Sequence, residues 1–246
     1  MKTPTDLFSR LKKMMPANVQ PKFTSGEELL AWNQEQGRLR SESIVRENRA
    51  MKMQRVMGRS GIRELHMNCS FDNYRVENEG QRRALTMARQ YADDFEGSIA
   101  SFVFSGRPGT GKNHLAAAIG NDLILRGKSV LIVTVADLMS SMKGTFSGGS
   151  DVTEERLLQD LSSVDLLVID EIGMQSESRY EKVIINQIVD RRSSSKRPTG
   201  MLSNLDPAGM NTLLGERVMD RMRLGNSMWV RFDWESYRSR VRGDEY

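Results

Sequence analysis

The chain has 246 residues, with 36 Lys+Arg against 32 Asp+Glu and a net charge of +4. With 28% charged residues and no run near the ~20 apolar residues that span a bilayer, a membrane protein is excluded. One cysteine, Cys69, excludes an intramolecular disulfide and argues against a cysteine-based zinc site. The N-terminal stretch has no apolar core of the kind a signal peptide carries, so a cytoplasmic protein is expected.

Charge is unevenly laid out. Residues 1–60 carry 12 Lys+Arg and 6 Asp+Glu, residues 61–220 carry 18 and 22, and residues 221–246 carry 6 and 4. Positive charge is therefore concentrated at the ends, most of all in the first quarter. There, Leu7, Phe8, Leu11, Met14 and Met15 form a short apolar stripe that stops at Pro16. Ser25 then caps a second segment, with Glu28 at the third position after it, and a helix is expected from about Glu27 to Met57. Its apolar residues are sparse, unlike those of a core helix. Two such helices bury little surface alone. They read either as a docking module for a partner protein, with Phe8, Leu11, Met15, Leu29 and Trp32 as anchors, or as a hairpin folded on the main domain. Arg55–Gly61, with two glycines and two arginines, looks like a hinge. The expected organisation is a helical module over 1–57, a linker over 58–75 and an α/β domain over 76–246.

From residue 76 helical and short apolar segments alternate, as in a parallel α/β sheet. A helix near Gln81–Phe95 precedes a strand at Ala100–Ser105. Then come Gly106, Arg107, Pro108, Gly109, Thr110, Gly111, Lys112 and Asn113, with His114 opening a helix that runs to the C-cap glycine Gly127. Strand, glycine loop and helix form the context a P-loop requires. Backbone N–H groups and the helix N-terminus surround a phosphate, and Lys112 reaches the β and γ phosphates of ATP. His114 is given no chemistry of its own. Asn113 stands where Ser or Thr normally supplies a hydroxyl to Mg²⁺; its amide oxygen is an alternative ligand with a different reach.

A strand is expected over Ser129–Val135, followed by a short helix capped by Asp137 that leads to Lys143 and Phe146. Downstream of this one intervening strand, Leu166–Ile169 forms a buried strand ending in Asp170 and Glu171. Asp170 can hold Mg²⁺ and Glu171 can orient the attacking water. Strand Thr199–Ser203 ends in Asn204, a polar group suited to the γ-phosphate or that water. Beyond it, Arg217 and Arg221 lie four apart on one helical face, while Arg223 points elsewhere.

Together GRPGTGKNHLAAAI, LLVIDEIG, INQIVDRRSSSKRPTGMLSN and GERVMDRMRLGNSMWVRFDWESYRSR resemble the AAA+ ATPases, and closely the DnaC-type bacterial replicative helicase loaders. Asn113 matches that pattern too. The resemblance implies a three-layer P-loop fold with a central five-stranded parallel sheet. It implies Asn204 as first sensor, Arg221 as arginine finger and Arg238 as second sensor. It implies ATP hydrolysis with Mg²⁺, an N-terminal grip on the hexameric helicase called DnaB, and self-association of the ATPase modules around single-stranded DNA. Little chain follows Asn204 before the terminus at Tyr246, so the usual helical lid should be minimal or absent. DNA contact is expected from Lys143, Phe146 and Tyr180, a phosphate-binding lysine beside aromatics that stack on bases; local packing is the competing reading for both aromatics. The cluster Arg191, Arg192, Lys196 and Arg197 reads equally as a basic contact or a solvated turn. Two functional alternatives stay open: an ATP-gated adaptor that does not hydrolyse, and a transposition helper ATPase of the related IstB type.

Overall fold

The computed structural model describes residues 23, 25–56, 66–146, 153–174 and 178–237. Phe8, Leu11, Met15, Arg238, residues 57–65 of the expected hinge and linker, and Ser147–Ser150 lie outside the described residues. The chain divides into two units, Met1–Arg46 and Glu47–Tyr246.

Helix α1 spans Gly26–Val56. Ser25 Oγ accepts from Glu28 N–H at 3.1 Å, the cap the sequence predicts. Leu30, Trp32, Leu39 and Ile44 are exposed, so no apolar stripe is buried over that stretch. What holds the surface is local: Arg38 bridges Glu35 and Glu42 at 2.5 and 2.6 Å, pairs worth a few tenths of a kcal/mol each. Trp32 sits 5.3 Å from the Phe23 ring.

In the larger unit, α2 (Glu79–Asp93) starts at Asn78, whose side chain accepts from Gln81 N–H while Gln81 Oε1 accepts from Asn78 N–H. That reciprocal cap starts the helix slightly before the expected position. Next come β1 (Phe102–Gly106), α3 (Lys112–Leu125), β2 (Val130–Thr134), α4 (Val135–Gly144), α5 (Glu154–Ser163), β3 (Leu166–Ile172) and α6 (Arg179–Ser194). The order closes with β4 (Thr199–Ser203), α7 (Pro207–Leu214), α8 (Glu216–Arg221) and β5 (Met228–Phe232). Thr134, not Asp137, caps α4. Its hydroxyl accepts from Asp137 N–H at 3.1 Å and donates to Asp137 Oδ2 at 2.8 Å, because the last strand residue already has the extended backbone a cap needs.

The sheet is entirely parallel, in the order β2-β3-β4-β1-β5. Alternate residues of each strand enter opposite faces, and both faces are buried. Phe102, Phe104, Leu166, Val168 and Leu202 pack with α2 and α3. Val103, Leu131, Leu167, Ile169 and Met201 pack with α4 to α8. Helices on both faces of a parallel sheet leave the strand ends as the accessible crevice. The described residues after β5, 233–237, carry no α-helix. Residues 66–77, largely within the stretch expected as linker, pack on this unit: Cys69 and Tyr74 are buried, and Asn121 Nδ2 donates to the carbonyls of His66, Met67 and Cys69. Burial raises the pKa of the Cys69 thiol.

Candidate nucleotide site

The loop from Gly106 to Gly111 joins β1 to α3 at the carboxyl end of the sheet. Gly106 has φ +120°, and a Cβ there would lie 2.3 Å from Phe232 O. Gly111 has φ +94°, and a Cβ there would lie 2.8 Å from the Tyr74 ring. Both positions are closed to larger residues by conformation and by space. The loop is pinned from the far edge of the sheet: Arg107 N–H donates to Phe232 O at 2.8 Å and Tyr237 N–H to Gly109 O at 2.8 Å. Trp234 Nε1 donates to Thr110 O at 2.9 Å, and Thr110 Oγ1 donates to Arg107 O at 2.7 Å.

Lys112 is buried. Its ammonium donates to Gly106 O at 2.8 Å, Arg107 O at 2.7 Å and Asn204 Oδ1 at 2.9 Å. The P-loop lysine and the polar residue at the end of β4, far apart in sequence, are thus brought into contact. Asn113 Nδ2 donates to Asp170 Oδ2 at 2.5 Å, which joins the start of α3 to the end of β3. Asp170 Oδ1 accepts from Glu171 N–H at 2.7 Å.

Glu171 has φ +61°. Between Ile169↔Met201 and Ile172↔Ser203, β3 advances by one residue more than β4. The extra residue is a bulge that re-aims the chain at the strand end, and the left-handed Glu171 is the residue that carries it. Ser203 Oγ donates to Ile172 O at 2.7 Å and so ties down the bulge's far side. Backbone strain of this kind persists where surrounding structure over-determines it.

The pocket that Arg221 lines contains Ser101 and Thr199, at the amino ends of β1 and β4. Arg221 is therefore at the opposite end of the sheet from Lys112. At about 3.3 Å per strand residue, the two ends are separated by ~17 Å. Arg221 Nε pairs with Asp190 Oδ1 at 2.8 Å and Arg217 Nη2 with Asp190 Oδ2 at 2.7 Å, as their spacing on one face predicts. Arg223 instead stacks on Trp229 at 5.5 Å.

Phe146 is exposed and its ring lies 6.2 Å from Tyr180. The Tyr180 hydroxyl donates to Glu154 Oε2 at 2.8 Å, and burial, followed by the Glu154 contact, pushes its phenol up to about 12. Lys143 is exposed, close before Phe146 in the chain. The basic cluster splits. Arg192 is fully buried, whereas Arg191 pairs with Glu155 at the surface through two 2.8 Å bonds.

Sequence reasoning left four members of this environment unassigned to the site. Phe232 O, Trp234 and Tyr237 hold the loop; the short apolar strand Met228–Phe232, whose end had to share the crevice, was the available signal. Tyr74 packs edge-on to His114 at 5.3 Å. Its hydroxyl is buried without a hydrogen-bond partner among the described residues, and burial raises its pKa. His114 Nε2 lies 3.0 Å from Ser70 O.

The family of IstB-like ATP binding proteins matches residues 10–244. The chain is 71% identical over 246 residues to the replicative helicase loader DnaC of Escherichia coli strain K12, covering 100% of both chains. It is 75% identical over 241 residues to the DnaC of Buchnera aphidicola subsp. Schizaphis graminum, covering 98% of each. Among solved structures, the crystal structure of the DnaC helicase loader matches with a TM-score of 0.60 at 23% identity, over 68% of this chain and 99% of that one. That of DnaI matches at 0.58 and 24%, over 70% and 92%; these two likenesses bear on the fold alone. With a P-loop, an acidic strand end and a polar β4 residue meeting at one end of a five-stranded parallel sheet, this chain belongs to the DnaC family of replicative helicase loaders, within the IstB-like ATP-binding proteins.

Proposed function

We propose that this chain is a cytoplasmic, ATP-dependent loader that binds the hexameric replicative helicase of DnaB type, opens its ring and helps place it on single-stranded DNA. The observation that carries the ATPase side of this reading is the convergence of Lys112 with Asn204, and of Asn113 with Asp170, at the mouth of one glycine loop. The backbone N–H groups of the loop and the start of α3 receive the phosphates of ATP. Lys112 exchanges loop carbonyls for β and γ oxygens and keeps Asn204 beside them. Glu171, aimed by its bulge, orients and polarises the attacking water. Asn113, through its amide oxygen, and Asp170 are the hard-oxygen ligands suited to Mg²⁺. The ion when bound neutralises phosphate charge. Among the described residues no three His, Cys, Asp or Glu cluster as a metal site, so phosphate and water would supply the remaining oxygens. The amide in place of a hydroxyl supports slow hydrolysis.

Arg221 lies too far from its own P-loop to touch it, which supports a finger role towards a neighbouring copy's nucleotide. Arg238, outside the described residues, is assigned the second sensor by family likeness. The N-terminal module over 1–57 takes the helicase grip through Phe8, Leu11, Met15, Leu29 and Trp32; the exposed Trp32 and half-buried Leu29 support this. The exposed Phe146 beside Tyr180, with Lys143, supports a stacking contact to single-stranded DNA. The name carried by the relatives, replicative helicase loader, supports the partner. Phosphate release by the full chain with helicase and single-stranded DNA tests the reading. Wild type should exceed Glu171→Gln by about a hundredfold or more; equal rates would leave a nucleotide-gated adaptor without hydrolysis.

A further inference from the structure

The pocket that holds Arg221 contains a second cation in an unusual backbone setting. Lys196, Arg197 and Arg221 line it together with Ser101 and Thr199. Lys196 stands just past α6, where the helix is closed by two bonds: Lys196 N–H to Ser193 O at 3.0 Å and Arg197 N–H to Arg192 O at 2.9 Å. Such a closure needs a left-handed residue, and glycine is the usual one because a side chain is strained there. Lys196 adopts φ +54°. It holds this position at a conformational cost that a glycine would avoid.

The neighbouring cations each have an acidic partner. Arg197 pairs with Asp165 at 3.3 Å, Arg191 with Glu155, and Arg217 and Arg221 share Asp190. Lys196 is exposed, and its ammonium makes no hydrogen bond or ion pair among the described residues. One carboxylate cannot neutralise two guanidinium groups, so the Arg217–Asp190–Arg221 trio keeps one positive charge and Lys196 adds another. Arg221, which shares its carboxylate with Arg217, and Lys196 line one surface cup; two such cations suit a dianionic terminal phosphate, and the cup lies at the end of the sheet away from the chain's own P-loop.

We propose that Lys196 is a second trans-acting cation, contacting with Arg221 the terminal phosphate of the nucleotide held by a neighbouring copy of this chain. This rests on the finger role given to Arg221 above.

Lys196→Gly tests it, because the variant relieves the backbone while removing the charge. The melting temperature of the monomer should rise by a few degrees, and its affinity for a fluorescent ATP analogue should stay unchanged. Phosphate release in the assembly with helicase and single-stranded DNA should fall at least about tenfold, and Lys196→Arg should retain most of it. Subunits carrying Lys112→Ala, which offer an intact Lys196 but hold no nucleotide, should restore turnover when mixed with Lys196→Gly subunits. The double variant Lys112→Ala/Lys196→Gly should not. Undiminished turnover in Lys196→Gly overturns the proposal, as does a loss that Lys112→Ala subunits fail to repair. The same mixing with Arg221→Ala separates the two readings: no recovery there overturns the finger role and Lys196 with it, whereas recovery there with a silent Lys196→Gly overturns Lys196 alone.

Discussion

Arg221→Ala should abolish hydrolysis in the assembly while leaving nucleotide binding by the monomer almost untouched, and the structure sets both magnitudes. At ~17 Å, a unit charge and the four charges of ATP interact by about 1 kcal/mol in water before screening. A Debye length of ~8 Å at physiological salt cuts this to roughly 0.1 kcal/mol, so the monomer's ATP affinity should change by less than about 1.5-fold. The fold should also survive. Arg221 and Asp190 are 24% and 30% exposed, and Asp190 keeps Arg217 at 2.7 Å. Losing such a pair costs about 1 kcal/mol at most, a drop in Tm of about 2–4 °C. On the proposed finger role, turnover depends on a different distance, that to a neighbour's γ-phosphate, and removing an arginine finger costs ~10³ in rate. Fluorescent-nucleotide titration of the monomer, a thermal melt and phosphate release from the helicase-bound assembly give three independent readouts. A several-fold weaker affinity in the isolated monomer would refute the reasoning, since no contact available to Arg221 in its own chain can produce it.

Three further outcomes follow from side chains elsewhere. Arg192 donates to the carbonyls of Leu161, Val164, Asp165 and Pro198 and to Thr199 Oγ1; burial pulls its guanidinium down to about 9, still charged at neutral pH. Arg192→Met should orphan these buried acceptors at about 1 kcal/mol each, and urea titration should show a loss of roughly 3–5 kcal/mol. Phe146→Ala should weaken single-stranded DNA binding by about 1–3 kcal/mol at every salt concentration, whereas Lys143→Ala should lower the slope of log affinity against log salt by ~0.7, both read by fluorescence anisotropy. Burial holds the His114 pKa below its ordinary 6.5, with the Ser70 carbonyl a weaker, opposing influence. Its folded value lies below its unfolded one, so the associated stability is present above pH ~6.5 and is lost as pH falls through that region. His114→Gln should flatten this part of the pH–stability curve, measured by urea melts between about pH 7.5 and 5.5.

The strands were legible because each buried parallel strand is a continuous apolar run; the helices Glu154–Ser163 and Pro207–Leu214 were not read, although Thr153 and Asp206 cap them. Boundaries shifted where a cap depended on a partner's reach. Asn78 and Gln81 close on each other and begin α2 early, and Thr134 serves both as last residue of β2 and as cap of α4. That Lys112, Asp170 and Asn204 would converge on the candidate site was legible because each stands at the carboxyl end of an apolar strand or at the first turn after a glycine loop. The groups that hold the loop were not. Phe232 acts through its carbonyl oxygen, Tyr237 through its amide and Trp234 through an indole N–H on Thr110 O; a backbone atom has no signature in side-chain pattern. Tyr74 lay hidden for another reason. It falls in a stretch with too few apolar residues to read as an element, and it is buried only because Gly111 leaves room for its ring.

The arginines at the far end show where local pattern stops being informative. A spacing of four put Arg217 and Arg221 on one face, and the structure brings both to that face. What that face does depends on Asp190, which belongs to α6 and which nothing in the sequence pairs with them. Asp190 has charge for only one of the two. A second acid beside it would neutralise the two arginines and leave no surplus charge to draw in a phosphate. In the same way Arg191 and Arg192 are adjacent in a basic run, yet one lies in a surface ion pair and the other is sealed among carbonyls. Adjacent residues of a helix point about 100° apart, so a run of like charge is divided between surface and core by the period of the helix. Lys196, just beyond the helix end, is subject to neither constraint, and its charge is therefore available to a partner.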